Sequence, residues 1–316
     1  MQSALKPNGI TITGAGFYVP ASLFTNLELA ASLDTSDEWI TQRTGIRQRY
    51  IAEASAETSD LAVLAATHAL HRAQLSSEDV DLIVVATSTP DYAFPSTAML
   101  VKQKLGSRAP AFDLSAACSG FVYALSISSD MMKAGAYHNV LVIGADKFSK
   151  IVDWQDRNTA VLFGDGAGAV VLQSHPGAFS SFSLLGSEER GADMLISPVT
   201  GPITMHGREV FKFGVRILES MLTKVMEELR LSIDDIALII PHQANIRIIE
   251  HAAVKLKIPL DKFFINIEKY GNTSAASIPI ALAEAMEQQR IQAGDIVVLA
   301  GFGAGLAWGV QVIQIA

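Results

Sequence analysis

Two pairs of stretches half a chain apart repeat one pattern, and that repetition limits what the chain can become. Ser77-Glu-Asp-Val-Asp-Leu-Ile-Val-Val85 follows a helical segment ending near Gln74, and Ser232-Ile-Asp-Asp-Ile-Ala-Leu-Ile-Ile240 follows another running from Phe211 to Arg230. Ala134–Gly144 and Ala293–Gly301 match in the same way, each opening on Ala-Gly and closing on an apolar run. Both pairs are offset by about 156 residues in a chain of 316. Self-similarity at half the chain length means a duplicated unit. The runs Val80–Ser88 and Val140–Gly144 lack polar alternation, as strands covered on both faces do. Mixed sheets packed between helices follow. The expected halves are residues 1–174 and 175–316, and Gln173–Phe179, with Pro176 and Gly177, is the most linker-like stretch between them.

Hydrophobic residues make up 49% and charged residues 18%, the balance of a globular chain with a large core. A net charge of −8 leaves no broad basic field to meet phosphates, which argues against nucleic-acid binding. One cysteine excludes an intrachain disulfide framework and any multi-cysteine metal site. His68 and His71 share a helix face but no third ligand accompanies them, so neither a metal nor a cofactor is expected. Met1–Asn8 lacks the charged and apolar regions of a signal peptide. Ile296–Ala316 is long and uncharged enough to suggest a membrane span. Gly301, Gly303, Gly305 and Gly309 interrupt it, however, and two buried strands around a glycine turn fit better. A cytoplasmic protein without membrane contact is the expectation.

Along the first half, Gly9–Tyr18 reads as a strand and Asn26–Ser32 as a short helix. Ser59–Gln74 reads as a helix capped by Ser59 or Asp60, and Phe94–Leu105 as helical. The lone cysteine lies in Asp113-Leu-Ser-Ala-Ala-Cys118-Ser-Gly-Phe-Val-Tyr-Ala, a strand and tight turn feeding a buried helix. A thiol in the first helical turn feels the positive end of the helix dipole, which favours thiolate and predicts a lowered pKa. A lone cysteine is otherwise an inert, buried apolar residue. The repeat places Asn272 opposite Cys118, and His242 opposite the residues just after the Val80–Ala86 strand. A thiol, an imidazole and an amide at matched strand ends make a reactive set.

Ala116-Ala-Cys118-Ser-Gly, Pro241-His242-Gln-Ala-Asn245 and Gly271-Asn272-Thr-Ser-Ala-Ala-Ser277 together resemble the β-ketoacyl-acyl carrier protein synthase III family of bacterial fatty acid synthesis. Asp34-Thr-Ser-Asp-Glu-Trp39, Arg43-Thr-Gly-Ile-Arg47, Phe163-Gly-Asp-Gly-Ala-Gly168 and Phe302-Gly-Ala-Gly305 fit the same family in the same order. The resemblance implies a thiolase-like α/β fold, with duplicated halves forming a five-layered α-β-α-β-α core, in a homodimer. It implies that Cys118 takes an acyl group from acyl-CoA while His242 and Asn272 hold the malonyl thioester of acyl carrier protein as CO2 leaves. The backbone N–H groups of Cys118 and Ala304 would form an oxyanion hole; the family often has glycine where Ala304 stands. Trp39, Arg157 and Arg43 would bind coenzyme A, a substrate and not a cofactor. Arg247, Lys212 and Lys255 would dock the acidic carrier protein, with His251 on the same helical stripe; Val254 stands where the family commonly has a lysine. Phe94 would cross the dimer interface and close the partner's acyl pocket, as in forms using acetyl or other short primers.

Other readings compete with these. Cys-His-Asn is also a hydrolytic triad, and a sister acyltransferase could use the same site to make a polyketide, quinolone or ester. Trp39 alone is an ordinary half-buried aromatic and Arg157 a surface ion pair. Phe163–Gly168 lacks the lysine of a phosphate loop and reads as a backbone turn.

Overall fold

The computed structural model describes residues 9–316, so the reading of Met1–Asn8 lies outside the described residues. The first half runs β1 (Gly9–Tyr18), β2 (Ser22–Thr25), α1 (Asn26–Ala30), α2 (Asp37–Thr44), β3 (Gln48–Ile51), α3 (Thr58–Arg72) and β4 (Leu82–Ala86). It continues through α4 (Thr97–Leu105), β5 (Ala111–Leu114), α5 (Gly120–Lys133), β6 (Asn139–Lys147), α6 (Arg157–Ala160) and β7 (Asp165–His175). The second half begins with β8 (Phe182–Ser187), β9 (Leu195–Ile196), β10 (Thr204–Met205), α7 (Gly207–Leu229) and β11 (Leu238–Pro241). It closes with α8 (Ile246–Leu256), α9 (Ile267–Tyr270), α10 (Ser277–Glu287), β12 (Ile296–Gly303) and β13 (Ala307–Ile315).

The strands of the two halves follow the same plan. β4 pairs in parallel with β5 and β6, and β7 returns antiparallel to β6. β11 pairs in parallel with β12, and β13 returns antiparallel to β12. β1 completes the first set beside β7, and β8 completes the second beside β13. A short parallel register, Thr11 with Gln314 and Ile12 with Ile315, joins the two sets edge to edge.

Alternation along the strands sorts the side chains into layers. Ile83, Val85, Leu141 and Ile143 face outward against α3 and α4, whereas Leu82, Val84, Val140 and Val142 face inward against α5 and α10. In the other set Ile239 and Val298 face α7 and α8, and Ile240 and Leu299 face the same central pair of helices. The order is therefore α3/α4, strands, α5/α10, strands, α7/α8. Both faces of every central strand are covered, which is why the runs carry no polar alternation. Among the described residues, no helix is long and apolar enough to cross a membrane, and Ile296–Ala316 forms β12 and β13.

Two helix starts differ from expectation. Glu57, not Ser59 or Asp60, caps α3, and the Asp60 carboxylate accepts the Glu57 N–H at 2.8 Å. The Ser59 hydroxyl is engaged elsewhere, donating to Asp91 at 2.6 Å. α4 begins at Thr97 with Ser96 as its cap, since the residue before Pro95 is biased away from helical backbone. Phe94 thus lies in a loop.

The tightest backbone approach joins the halves. A Cβ at Gly144 on β6 would lie 2.3 Å from the Ala275 carbonyl oxygen, in the turn that leads into α10. Gly144→Ala is expected to destabilise the fold by about 1–3 kcal/mol through overpacking, read as a lower denaturation midpoint at unchanged denaturant slope. A midpoint equal to that of the parent protein would contradict this packing.

Candidate active site

Cys118, His242 and Asn272 line one pocket of about 140 Å³, and all are buried. Cys118 sits in a 3₁₀ turn, Ala117–Ser119, that runs straight into α5. The left-handed Ala117 (φ 48°) turns the chain sharply before it. His242 follows β11, where its N–H continues the ladder by donating to Ala300 O at 2.8 Å. Asn272 lies ahead of α10, and its backbone is zipped to the Phe163 segment: Asn272 N–H donates to Leu162 O at 2.9 Å and Gly164 N–H to Asn272 O at 3.1 Å. The Phe163–Gly168 motif is thus a structural brace. Asp165 turns inward to accept N–H bonds from Ala52 and Ser149, both at 2.8 Å.

The polar ends of the two donors are already sorted. The Asn272 Oδ1 accepts the Ser274 N–H at 2.8 Å, which leaves Nδ2 for the pocket. The His242 Nδ1 meets the Ser277 Oγ at 2.7 Å, and that oxygen also accepts the Gln243 N–H at 3.4 Å. Among the described residues the Ser277 hydroxyl has no other acceptor within reach, which favours its donating to Nδ1 and leaves the imidazole proton on Nε2. Burial pushes the His242 pKa down to about 3, which keeps the ring neutral. Asn272 does not orient His242; Ser277 does. That arrangement is unlike a hydrolytic Cys-His-Asn triad, in which the amide steers the ring.

The thiol runs against the expectation of a lowered pKa. Its place at a helix start stands, but burial dominates and pushes Cys118 up to about 12; the nearby Asp146 raises it further, and the Ser274 hydroxyl opposes both. Removing a thiolate from water outweighs what a helix end contributes. Ala304 lines the pocket beside Cys118. Gly303 makes this approach possible, since a Cβ there would lie 2.9 Å from the Cys118 Cβ and 3.0 Å from its backbone nitrogen.

Trp39, Arg157 and Arg43 are brought together, but as a stack closed on itself. The Arg157 guanidinium carbon lies 4.9 Å and that of Arg43 5.7 Å from the Trp39 ring centroid. Arg157 also donates to the Asp34 carbonyl at 2.7 Å. The group touches the pocket through α2, whose Arg43 carbonyl accepts the Asn245 Nδ2 at 2.9 Å; Asn245 lines the pocket and caps α8. Arg247 and Lys255 are exposed on α8, and Arg247 lies over the Phe211 ring, 5.4 Å from its centroid, at the pocket wall. Lys212 is exposed but paired with Glu209 at 2.9 Å. Phe94 does not line the pocket and is 86% exposed.

Several residues that shape the site carry no signature in the sequence. Ser277 and Ser274 look like filler in a small-residue turn, and Asp146 looks like the end of a strand. Buried Asn26 donates to Asp37 Oδ1 at 2.9 Å and accepts from the fully buried Arg49 at 2.8 Å, which anchors the helix bearing Trp39. The raised thiol makes a direct prediction. Ultraviolet thiolate absorbance, taken as the difference from Cys118→Ser, should be absent at neutral pH and grow only as the pH climbs toward about 12; a full signal at pH near 7 would contradict the burial argument.

Comparison with known proteins gives one answer. Residues 112–188 match the family described as 3-oxoacyl-[acyl-carrier-protein (ACP)] synthase III, and residues 226–315 match its C-terminal part. A β-ketoacyl-[acyl-carrier-protein] synthase III from Caldanaerobacter subterraneus subsp. tengcongensis is 49% identical, over 96% of this chain and 97% of its own. The crystal structure of the 3-oxoacyl-[acyl-carrier-protein] synthase III from Aquifex aeolicus superposes with a TM-score of 0.93 at 48% identity, covering 97% of this chain and all of that one. The corresponding Thermus thermophilus structure gives 0.94 at 44% identity, covering 97% and 99%. With its sequence, its layered fold and its pocket in agreement, the chain belongs to the β-ketoacyl-[acyl-carrier-protein] synthase III family.

Proposed function

We propose that this chain joins a short acyl-CoA, acetyl-CoA or a close analogue, to malonyl-acyl carrier protein through an acyl-Cys118 intermediate, and so starts fatty acid chains. The observation that carries this reading is one apolar pocket holding a thiol, a neutral imidazole that presents Nε2–H, and an amide that presents Nδ2. The sulfur attacks the acyl-CoA carbonyl, the C–S bond to coenzyme A breaks, and the acyl group stays on Cys118. Malonyl-carrier then enters, with its thioester oxygen facing Nε2 of His242 and Nδ2 of Asn272. As the carboxylate leaves as CO2, the C–C electron pair becomes an enolate, and two preorganised donors in a dry site stabilise the charge on that oxygen. The enolate carbon attacks the acyl thioester, the resulting oxyanion faces the N–H groups of Cys118 and Ala304, and its collapse releases the 3-ketoacyl carrier and the Cys118 sulfur. A neutral imidazole suits this task, since it donates a hydrogen bond without giving up a proton.

Trp39, Arg157 and Arg43 are assigned to the adenine end of coenzyme A on the strength of their clustering and their link to the pocket wall. Guanidinium and indole planes both stack on a flat base. Arg247, Lys255 and Lys212 are assigned to the carrier protein because they are exposed on α7 and α8, with Arg247 over Phe211 at the pocket wall. Lys212, already paired with Glu209, contributes least. Phe94, exposed in the single chain, is assigned to the acyl pocket of a second copy in a homodimer. A cytoplasmic location accords with these soluble substrates.

Intact-protein mass after mixing with acetyl-CoA tests the core of the proposal. One acyl adduct is expected, absent in Cys118→Ser and discharged by malonyl-carrier with CO2 release; an adduct that only hydrolyses would overturn condensation. His242→Ala and Asn272→Ala should each slow CO2 release by about 10²–10³-fold, the usual effect of losing one oxyanion donor, while Cys118 still acylates. Trp39→Ala should raise the KM for acyl-CoA and spare that for malonyl-carrier; equal changes in both would indicate a folding role.

A further inference from the structure

Arg49, on β3, is fully buried, and among the described residues no carboxylate pairs with it. Burial lowers its pKa only to about 10, so it stays a cation at neutral pH. Its hydrogen-bond partners are all uncharged oxygens. Nη1 donates to the Asn26 Oδ1 at 2.8 Å and to the Phe24 carbonyl at 3.4 Å, and Nη2 donates to the Val161 carbonyl at 2.8 Å. A guanidinium taken out of water is costly, and no opposite charge offsets that cost here. An apolar side chain of similar volume would fill the space more easily. It could not hold two separate chain segments at a fixed spacing, as a planar fork does.

The two arms of the fork reach different parts of the candidate site. On one side, the Asn26 Nδ2 donates to Asp37 Oδ1 at 2.9 Å and to the Ile46 carbonyl at 2.7 Å. These bonds pin the first residue of α2 and the loop just past its end, and α2 carries Trp39 and Arg43. On the other side, Val161 closes α6, the helix that opens on Arg157. The carbonyl of the next residue, Leu162, accepts the Asn272 N–H at 2.9 Å. The stem of Arg49 packs against the same place, since a Cβ at Gly164 would lie 3.0 Å, and one at Gly271 3.3 Å, from the Arg49 Cβ. Gly164 gives its N–H to the Asn272 carbonyl, and Gly271 directly precedes Asn272. Arg47 adds a backbone link, its N–H donating to the Glu268 carbonyl of α9 at 3.1 Å, just ahead of that turn.

We propose that Arg49 is a positioning residue for both substrates: its fork locks α2 to residues 161–164, so that one buried cation holds the Trp39–Arg157 stack together and fixes the place of Asn272. The inference rests on the reading of that stack as the coenzyme A site and of Asn272 as a donor to the malonyl thioester. Arg49 lies outside the pocket lining and acts only through Asn26 and the 161–164 segment. Loss of the fork frees α2 to shift against α6, which separates Trp39 from Arg157. It also lets the Asn272 amide drift from the thioester oxygen, and a misplacement of about 1 Å at a reacting centre costs about 10²-fold.

Three substitutions in the full-length protein test this. Arg49→Met removes the fork, Arg49→Lys keeps the charge on a single point, and Asn26→Ala cuts the α2 side alone. Rates are counted per Cys118 that takes an acetyl group from saturating acetyl-CoA, so misfolded protein drops out. Both Arg49 variants should raise the KM for acetyl-CoA about fivefold, the size of one lost stacking contact. Both should also slow CO2 release from malonyl-carrier without acyl-CoA by about 10²-fold. Asn26→Ala should raise that KM by a similar factor with a much smaller loss in CO2 release. Combined with Arg49→Met, it should raise the KM no further than Arg49→Met alone. Parent values in both Arg49 variants would reduce the residue to structural filler and overturn the proposal. So would a change confined to one of the two readouts, or KM losses that multiply when the substitutions are combined. A parent enzyme that takes no acetyl group, or Trp39→Ala with an unchanged KM for acetyl-CoA, would instead overturn the functional reading beneath it.

Discussion

Everything in this molecule depends on two helices that are buried along almost their whole length. α5 and α10 lie between two layers of strands, and almost every face of each is covered. Such a helix has no place for a charged surface, so its sequence is apolar and small: Gly120-Phe-Val-Tyr-Ala-Leu-Ser-Ile-Ser-Ser and Ser277-Ile-Pro-Ile-Ala-Leu-Ala-Glu-Ala. Each is entered by a sharp turn containing a left-handed non-glycine residue, Ala117 in one half and Ser274 in the other. The duplicated unit thus delivers two equivalent strained turns to the middle of the protein. One carries Cys118, and the other follows Asn272 and carries the Ser274 hydroxyl. Core and reactive centre are one object, and a void or clash in either disturbs both.

Desolvation then decides the chemistry. The same burial keeps His242 unprotonated, Cys118 protonated and Asp146 above the ordinary carboxyl range. In that medium a hydrogen bond aimed at developing charge counts for more than it would in water, and a standing charge is expensive. A pocket that must build an enolate and then an oxyanion is best served by neutral donors already in place. Ser277, Ser274 and Asn272 all contribute to that placing, which gives the small-residue turn a purpose that its composition hides.

The sequence made the large-scale features legible because burial writes itself into composition. Uniformly apolar strands and the offset between halves led to a duplicated α/β unit with sheets between helices. The five layers came with the family resemblance, and Cys118, His242 and Asn272 stood out as reactive types at strand ends. What stayed hidden depended on three-dimensional neighbours. A helix start argued for a low thiol pKa, but the depth of Cys118 cannot be read from its flanking residues, and depth set the sign. Ser59 looked like a cap until Asp91, far along the chain, claimed its hydroxyl. Asp146 ends an ordinary strand in the sequence; only folding surrounds it with Thr87, Ser88, Thr89 and Ala275.

The Arg157–Trp39 stack has a consequence of its own. On the reading that adenine enters there, Arg157 is a tethered rival for the indole face, always present at high effective concentration. Every adenine nucleotide must displace it, and a cation–π contact of about 0.5–1 kcal/mol at a half-exposed site sets the scale of that toll. The toll is the same for ATP as for an acyl-CoA. Selectivity among nucleotides is thereby shifted from the base to the long thioester arm, the only part of the ligand that reaches the buried sulfur.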